Sequence, residues 1–240
     1  MLLDTIFFWV YYYCGCRKIK MIFKKAFTLA EVLITLVIIG VIASITIPSV
    51  NNNLNKEEHK AKFKKAVSTI NGALQRTVMD LGYVPECYYA RKDKMLTQGT
   101  DGGTAAYHFD DCKEFFDAFY YNLAVMKKCN KAYAEGCTPE YTGTTTGNCS
   151  TGFSTENIKT RQAYVLNDGM IFIPYVSYPG YPVFAIDING RRAPNKGGHD
   201  LFPFMVSSAN DGQSIEFSPS GCKFATGKTT QEMYKEAFAR

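Results

Sequence analysis

The sequence predicts an α+β fold, with one long N-terminal helix packed on an antiparallel sheet in a globular head. Three observations carry this expectation. Residues 27–47 form an apolar run with a single charge, Glu31, and helical periodicity resumes shortly after it. Short apolar segments follow between residues 161 and 217, with Asp168-Gly169 between the first two as a hairpin signal. Six cysteines (Cys87, Cys112, Cys129, Cys137, Cys149 and Cys222) lie beyond the apolar run and none lies inside it.

The elements follow in order. Residues 5–13 are apolar and aromatic but too short to cross a bilayer, which needs about 20 residues. Met21 offers a second start, leaving a short basic leader, and residues 1–20 then stay out of the fold. The expected organisation is a leader at 1–26, a stem helix at 27–50, an amphipathic helix at 51–82 and a globular head at 83–240. As a helix, residues 27–47 are about 31 Å long, which matches the hydrocarbon core. Pro48 closes the run; a proline removes one backbone donor and crowds the preceding turn, so a kink or a local loosening is expected there. Phe63, Val67, Ile70, Leu74, Val78 and Leu81 then step by three or four along one face. Lys56, Lys60, Lys64 and Arg76 lie off that stripe, and Gly82 is a natural stop.

In the head, residues 111–129 read as a helix with Cys112, Phe115, Phe116, Phe119, Leu123 and Met126 on one face. Residues 136–155 are rich in Thr, Gly and Ser and read as a loop. Strands are expected at 161–167, 170–176, 183–188 and 202–206, with a short one at 215–217. Thr229 with Glu232 fits a capping box opening a terminal helix. The aromatic set Tyr175, Tyr178, Tyr181 and Phe184 reads as sheet packing, with a contact surface as the alternative.

The net charge of +5 belongs to the N-terminus. Arg17, Lys18, Lys20, Lys24 and Lys25 against Asp4 give +4 in residues 1–26, leaving +1 for the rest. That is the pattern of a basic flank retained on the cytoplasmic side of a membrane segment. Residues 56–65 are basic but contain Glu57 and Glu58, so they read as a solvated face near the membrane with weak attraction to anionic lipid. Nucleic acid is the alternative partner there. No nucleophile–base pair, phosphate loop or metal cluster is recognisable, so no enzyme is expected.

The cysteines beyond the apolar run suggest disulfides in an oxidising compartment. There is no C-x-x-C pair, and His59, His108 and His199 are not spaced with the cysteines as zinc ligands. If 111–129 is one helix, Cys112 and Cys129 are about 25 Å apart along its axis, which excludes that pair. At least one bridge is expected within Cys129, Cys137 and Cys149, with Cys137–Cys149 or Cys129–Cys149 favoured and Cys222 tying the C-terminal segment to an earlier element. Asp187-x-Asn189-Gly190 with Asp200 places oxygen side chains around a glycine turn and reads first as a plain turn that reverses the chain. A calcium loop is the alternative, although the spacing completes no EF-hand. No other cofactor is expected.

Lys24-Lys25-Ala26-Phe27-Thr28-Leu29-Ala30-Glu31 resembles the processing site of type IV prepilins and type II secretion pseudopilins. Ala26 stands where that family more often has glycine. The resemblance implies a pilin-like fold and cleavage between Ala26 and Phe27 by a prepilin peptidase. It also implies N-methylation of Phe27. Gly40 and Pro48 fall where such stems commonly carry a glycine and a helix-breaking proline. The implied role is that of a filament subunit whose partners are other pilin or pseudopilin subunits, an inner-membrane assembly platform and membrane lipid. The filament types open to it are a type II secretion pseudopilus, a type IV pilus and a DNA-uptake pilus. A carboxylate in a span costs about 2.5–3.5 kcal/mol at mid-membrane and less near the edge, where Glu31 lies. Cleavage creates an amine at Phe27 with which a neighbouring subunit's Glu31 can pair as stems pack. The implied location is the cytoplasmic membrane, single-pass, with the head outside the cytoplasm. Two alternatives remain. One is a secretory signal cut near Ala43-Ser44. The other is a plain signal anchor carrying an extracytoplasmic binding module or hydrolase.

Overall fold

The computed structural model describes residues 9–12, 19–22, 28–88, 109–175, 183–209 and 213–239, with only the backbone at 9–12, 19–22, 47–54, 109–111 and 150–151. Strands β1 (Trp9–Tyr12) and β2 (Ile19–Ile22) pair antiparallel. Helix α1 runs without a break from Leu29 to Leu81, passing through Gly40 and Pro48. The chain divides into two compact units, Met1–Asn55 and Lys56–Arg240.

The second unit is built on six strands in the order β3 (Val125–Cys129), β4 (Ala163–Leu166), β5 (Ile171–Pro174), β6 (Val183–Asp187), β7 (Leu201–Ala209) and β8 (Ser214–Pro219). Every neighbouring pair is antiparallel, so the sheet is a meander. The hairpin at Asp168-Gly169 forms as expected: Gly169 takes φ +86, Leu166 N–H donates to Met170 O at 2.9 Å, and Met170 N–H donates to Asp168 Oδ1 at 3.2 Å.

Both faces of this sheet are covered, which explains why β5 and β6 are buried at every position. On one face lie the α1 stripe, helix α2 (Phe109–Asn122) and the terminal helix α5 (Thr230–Phe238). Phe63 sets its ring on Phe202 at 5.1 Å, and Phe119 meets Phe172, Phe184 and Phe217 at 5.1–6.5 Å. Phe184 is therefore core. The stripe is buried from Phe63 to Leu74, and Val78 and Leu81 are half-buried. Gly82, at φ +72, donates its N–H to Val78 O and stops the helix where expected. On the other face, Ile171, Ile173 and Ala185 pack with Tyr141, Phe153, Ile158 and Phe224. The α5 capping box is present in full: Glu232 N–H donates to Thr229 Oγ1, and Thr229 N–H donates to Glu232 Oε2.

Three expectations in the head are corrected. The helix expected over 111–129 ends at Asn122, and its last part is strand β3. Arg76 donates to Asn122 O at 3.0 Å and Asn122 donates to Asp80 at 2.8 Å, so α1 caps α2; Ala124 then turns the chain at φ +53. Pairing with β4 takes the following residues, and Met126, expected on the buried face, is 64% exposed. The loop expected over 136–155 contains a short helix, α3 (Ser150–Phe153), followed by α4 (Thr155–Thr160), which Ser154 caps by accepting from Asn157 N–H. The favoured disulfides also give way. The bridges are Cys87–Cys112, Cys129–Cys137 and Cys149–Cys222, with Cα separations of 4.9, 6.2 and 5.0 Å. One bridge does fall within the expected trio, Cys112–Cys129 is absent, and Cys222 does reach back to an earlier element. The preferred partners were wrong because a tight turn returns the chain at once. Glu135 accepts the N–H groups of Asn130 and Lys131, Gly136 adopts φ +72, and Cys137 N–H donates to Ala132 O.

Candidate functional site

The N-terminus of α1 carries the site. Thr28 N–H and Thr28 Oγ1–H both donate to Glu31 Oε2, at 2.9 and 2.8 Å, and Glu31 N–H donates to Thr28 Oγ1 at 3.2 Å. Val32 N–H donates to Thr28 O and opens the helix. Thr28 is thus the N-cap and Glu31 its reciprocal partner three residues on. The sequence reading singled out Glu31 and passed over Thr28, although Thr-x-x-Glu ahead of an apolar run is the signature of this box. The box fixes the carboxylate over the first turn, at the positive end of the helix dipole, where a negative charge is favoured. Ala26 and Phe27 lie outside the described residues.

The rest of the segment suits lipid. Leu29–Thr46 is long and apolar enough to cross a membrane, the one such helix among the described residues. Large apolar side chains from Leu29 to Ile45 are exposed. Leaving each in water forfeits about 1.5–3 kcal/mol relative to full burial. The polar residues in the stretch turn inward on their own helix: Thr35 Oγ1 donates to Val32 O, Ser44 Oγ to Val41 O and Thr46 Oγ1 to Ile42 O, at 2.7–2.9 Å. Those hydroxyls need no water. The backbone of α1 is helical through Gly40 and Pro48, so neither residue interrupts the helix.

The second candidate region is the β6–β7 connection. Asp187 Oδ1 accepts from the N–H groups of Asn189 and Gly190 at 3.0 and 2.8 Å, and Tyr141 OH donates to Asp187 Oδ2 at 2.6 Å. Gly190, at φ +66, must be glycine, because a Cβ there would meet Gly169 O. Burial pushes the Asp187 carboxyl up from 3.8 to about 7, against the hydrogen bonds it accepts, and the Asp200 charge adds to the rise. Burial likewise raises the Asp200 carboxyl, opposed by the backbone N–H groups of Lys196 and Asn195 and by His59 and His199. Among the described residues, no group of three or more His, Cys, Asp or Glu is arranged to hold a metal.

The molecule so defined is an α+β head of Lys56–Arg240 on a chain that also carries a single membrane-compatible helix. The family model described as the prokaryotic N-terminal methylation motif matches residues 21–47. That match runs from Met21 across Ala26, Phe27 and Glu31 to Ile47, and it supports the resemblance to type IV pilin-like proteins and pseudopilins. It points to a structural protein rather than an enzyme, and to a membrane-anchored single-pass chain. No curated protein and no solved structure matches the chain.

Proposed function

We propose that the chain is a structural subunit of a type IV pilus-like or type II secretion pseudopilus filament. The observation that carries this reading is the methylation motif set on a lipid-compatible helix whose one ionisable residue, Glu31, is held over the first turn.

The mechanism has four steps. The precursor inserts with Lys24 and Lys25 retained in the cytoplasm and the Lys56–Arg240 unit translocated. A prepilin peptidase cuts between Ala26 and Phe27, and the new amine is methylated. The apolar stem holds the subunit in the membrane. An inner-membrane assembly platform then draws it into the filament, exchanging lipid contacts for neighbouring stems, while Glu31 pairs with the Phe27 amine of a neighbour and sets the axial register. A buried pair of this kind acts chiefly through specificity, because leaving one charge unpaired away from water is strongly unfavourable. Three disulfides suit a head that works in an oxidising compartment. The filament performs mechanical and adhesive work, without chemical turnover by this chain.

N-terminal sequencing and intact-mass measurement of membrane material from the source cells test the reading. The expected mature chain begins at Phe27 and carries a methyl group on its amine. A mature chain beginning after Ser44 would replace this reading with a cleaved secretory signal.

A further inference from the structure

Basic side chains from three separate segments meet within the Lys56–Arg240 unit. His59 on α1 donates its ring N–H to His199 O in the β6–β7 connection, and Lys228 N–H, just before α5, donates to Gly198 O at 2.8 Å. These contacts gather Lys56, Lys60 and Lys62 of α1 with Arg192 and Lys196 of the connection and with Lys228. The groups they surround register the convergence. The Lys228 hydrogen bond, with further charge from Lys60 and Lys56, holds the Glu236 carboxyl below its ordinary value. The Lys62 hydrogen bond, with charge from Arg192, does the same to Glu58. Burial lowers the His199 imidazole, and the charges of Lys196, His59 and Lys228 add to the fall against that of Asp200.

The positive charge is only partly matched. Lys60 pairs with Glu57 at 3.1 Å and Glu236 at 3.9 Å, Lys62 pairs with Glu58 at 2.8 Å, and Lys228 pairs with Glu236. Among the described residues, Lys56, Arg192 and Lys196 form no ion pair, and Lys56 and Arg192 are exposed. Lys56 stands only ten residues beyond Thr46, where the membrane-compatible stretch ends. In a membrane-anchored chain the patch is therefore tethered beside a bilayer surface, and tethering makes weak contacts count by raising their effective concentration.

We infer that this patch binds the phosphate headgroups of anionic phospholipids, with Lys56, Arg192 and Lys196 as its principal cations. It needs only a membrane-anchored chain, whether or not that chain enters a filament. A nucleic acid fits the patch less well. Glu57, Glu58 and Glu236 stand among the cations, so a strand whose phosphates are fixed in line meets carboxylates. Lipid headgroups diffuse singly to each cation. Each Lys or Arg near an anionic leaflet contributes about fivefold to binding, and three unmatched cations about a hundredfold together. The attraction falls off within a Debye length, about 8 Å at physiological salt.

The test places the full chain in nanodiscs of neutral phosphatidylcholine, with or without phosphatidylglycerol, and follows acetylation of each lysine by mass spectrometry. In the anionic discs Lys56, Lys196 and Lys228 are expected to react more slowly by well over the roughly threefold that a surface potential of about −30 mV gives by itself. Lys113 and Lys131, exposed outside the patch, serve as references and should keep their rates. High salt should erase the difference. Lys56→Gln combined with Arg192→Gln breaks no ion pair and should weaken docking about 25-fold, returning Lys196 and Lys228 to their neutral-disc rates. Non-reducing peptide mapping of the three bridges reports that the variant has folded. A chain that fails to co-elute with neutral discs sinks the anchored reading and the patch with it. A chain that co-elutes but labels alike in both lipids overturns the patch alone, as does protection that survives intact in the double variant. Equal protection of the same lysines in neutral discs by added duplex DNA also overturns it, in favour of a nucleic-acid surface.

Discussion

Removing the three disulfides one at a time should destabilise the head in the order of the chain length each one closes. The bridges span 8, 25 and 73 residues for Cys129–Cys137, Cys87–Cys112 and Cys149–Cys222. In the chain-entropy picture the constraint on the unfolded state grows with the logarithm of loop length, giving about 2.5, 3.5 and 4.4 kcal/mol at 25 °C. For a unit of this size, each kcal/mol moves the melting temperature by roughly 2–4 °C. The expected losses are therefore about 5–10 °C for the shortest loop and about 9–18 °C for the longest. The three loops follow one another along the chain without overlap, but Cys129, Cys137, Cys149 and Cys222 share one packed cluster, so only the Cys87–Cys112 loss should add to the others. The perturbation is paired Cys→Ala substitution, which removes two similar side chains in each case and leaves loop length as the variable. Thermal unfolding of the detergent-solubilised chain under non-reducing conditions is the assay. Equal losses for all three pairs, or the largest loss from Cys129 and Cys137, would refute the entropic reasoning. Either outcome would place the stabilisation in local packing around the cysteines instead.

Two further outcomes are expected. Glu31→Leu should leave insertion and head folding intact but stop or disorder incorporation into filaments, scored by shearing and electron microscopy; normal filaments from that variant would reduce Glu31 to an interfacial cap of its own helix. Asp187 keeps its proton in the folded state up to about pH 7, whereas the unfolded chain releases it near 3.8. The folded state thus binds more protons in that window, so this group's contribution is fully present below about 3.8 and is lost as pH rises through about 7. In chelator-treated protein, Asp187→Asn should remove this fall, seen as a flatter unfolding free energy between pH 4 and about 7 in denaturant titrations; identical slopes would mean that the Tyr141 and backbone hydrogen bonds hold Asp187 ionised.

The stem was legible from the sequence because its constraints are local. A 21-residue apolar run with one carboxylate follows from chain order alone, and the basic flank needs no tertiary contact to be recognised. The α1 stripe from Phe63 to Leu74, the Asp168-Gly169 hairpin and the Thr229–Glu232 box were legible for the same reason: each is a short-range pattern with a backbone cause. The Thr28–Glu31 box is equally local, since Thr-x-x-Glu ahead of an apolar run is its signature.

What tertiary structure decided is where two non-local forces compete with a local pattern. Residues 123–129 continue a helical apolar rhythm, yet strand pairing with β4 and capping of α2 by Arg76 and Asp80 claim them for the sheet. Cysteine pairing depends on which ends the fold brings within about 7 Å, a distance no spacing rule supplies. The Glu135 turn decides it for Cys129 and Cys137, and the return of the chain after β8 decides it for Cys149 and Cys222. The β6–β7 loop divides in the same way. Chain order marked Asp187, Asn189 and Asp200 as oxygen-bearing, but only the folded loop commits Asp187 to Tyr141 and the backbone and leaves one side-chain oxygen of each of Asp200, Asn189 and Asn195 without a donor. Satisfaction of a buried polar atom is a property of its surroundings, and those are set by contacts far apart in the chain.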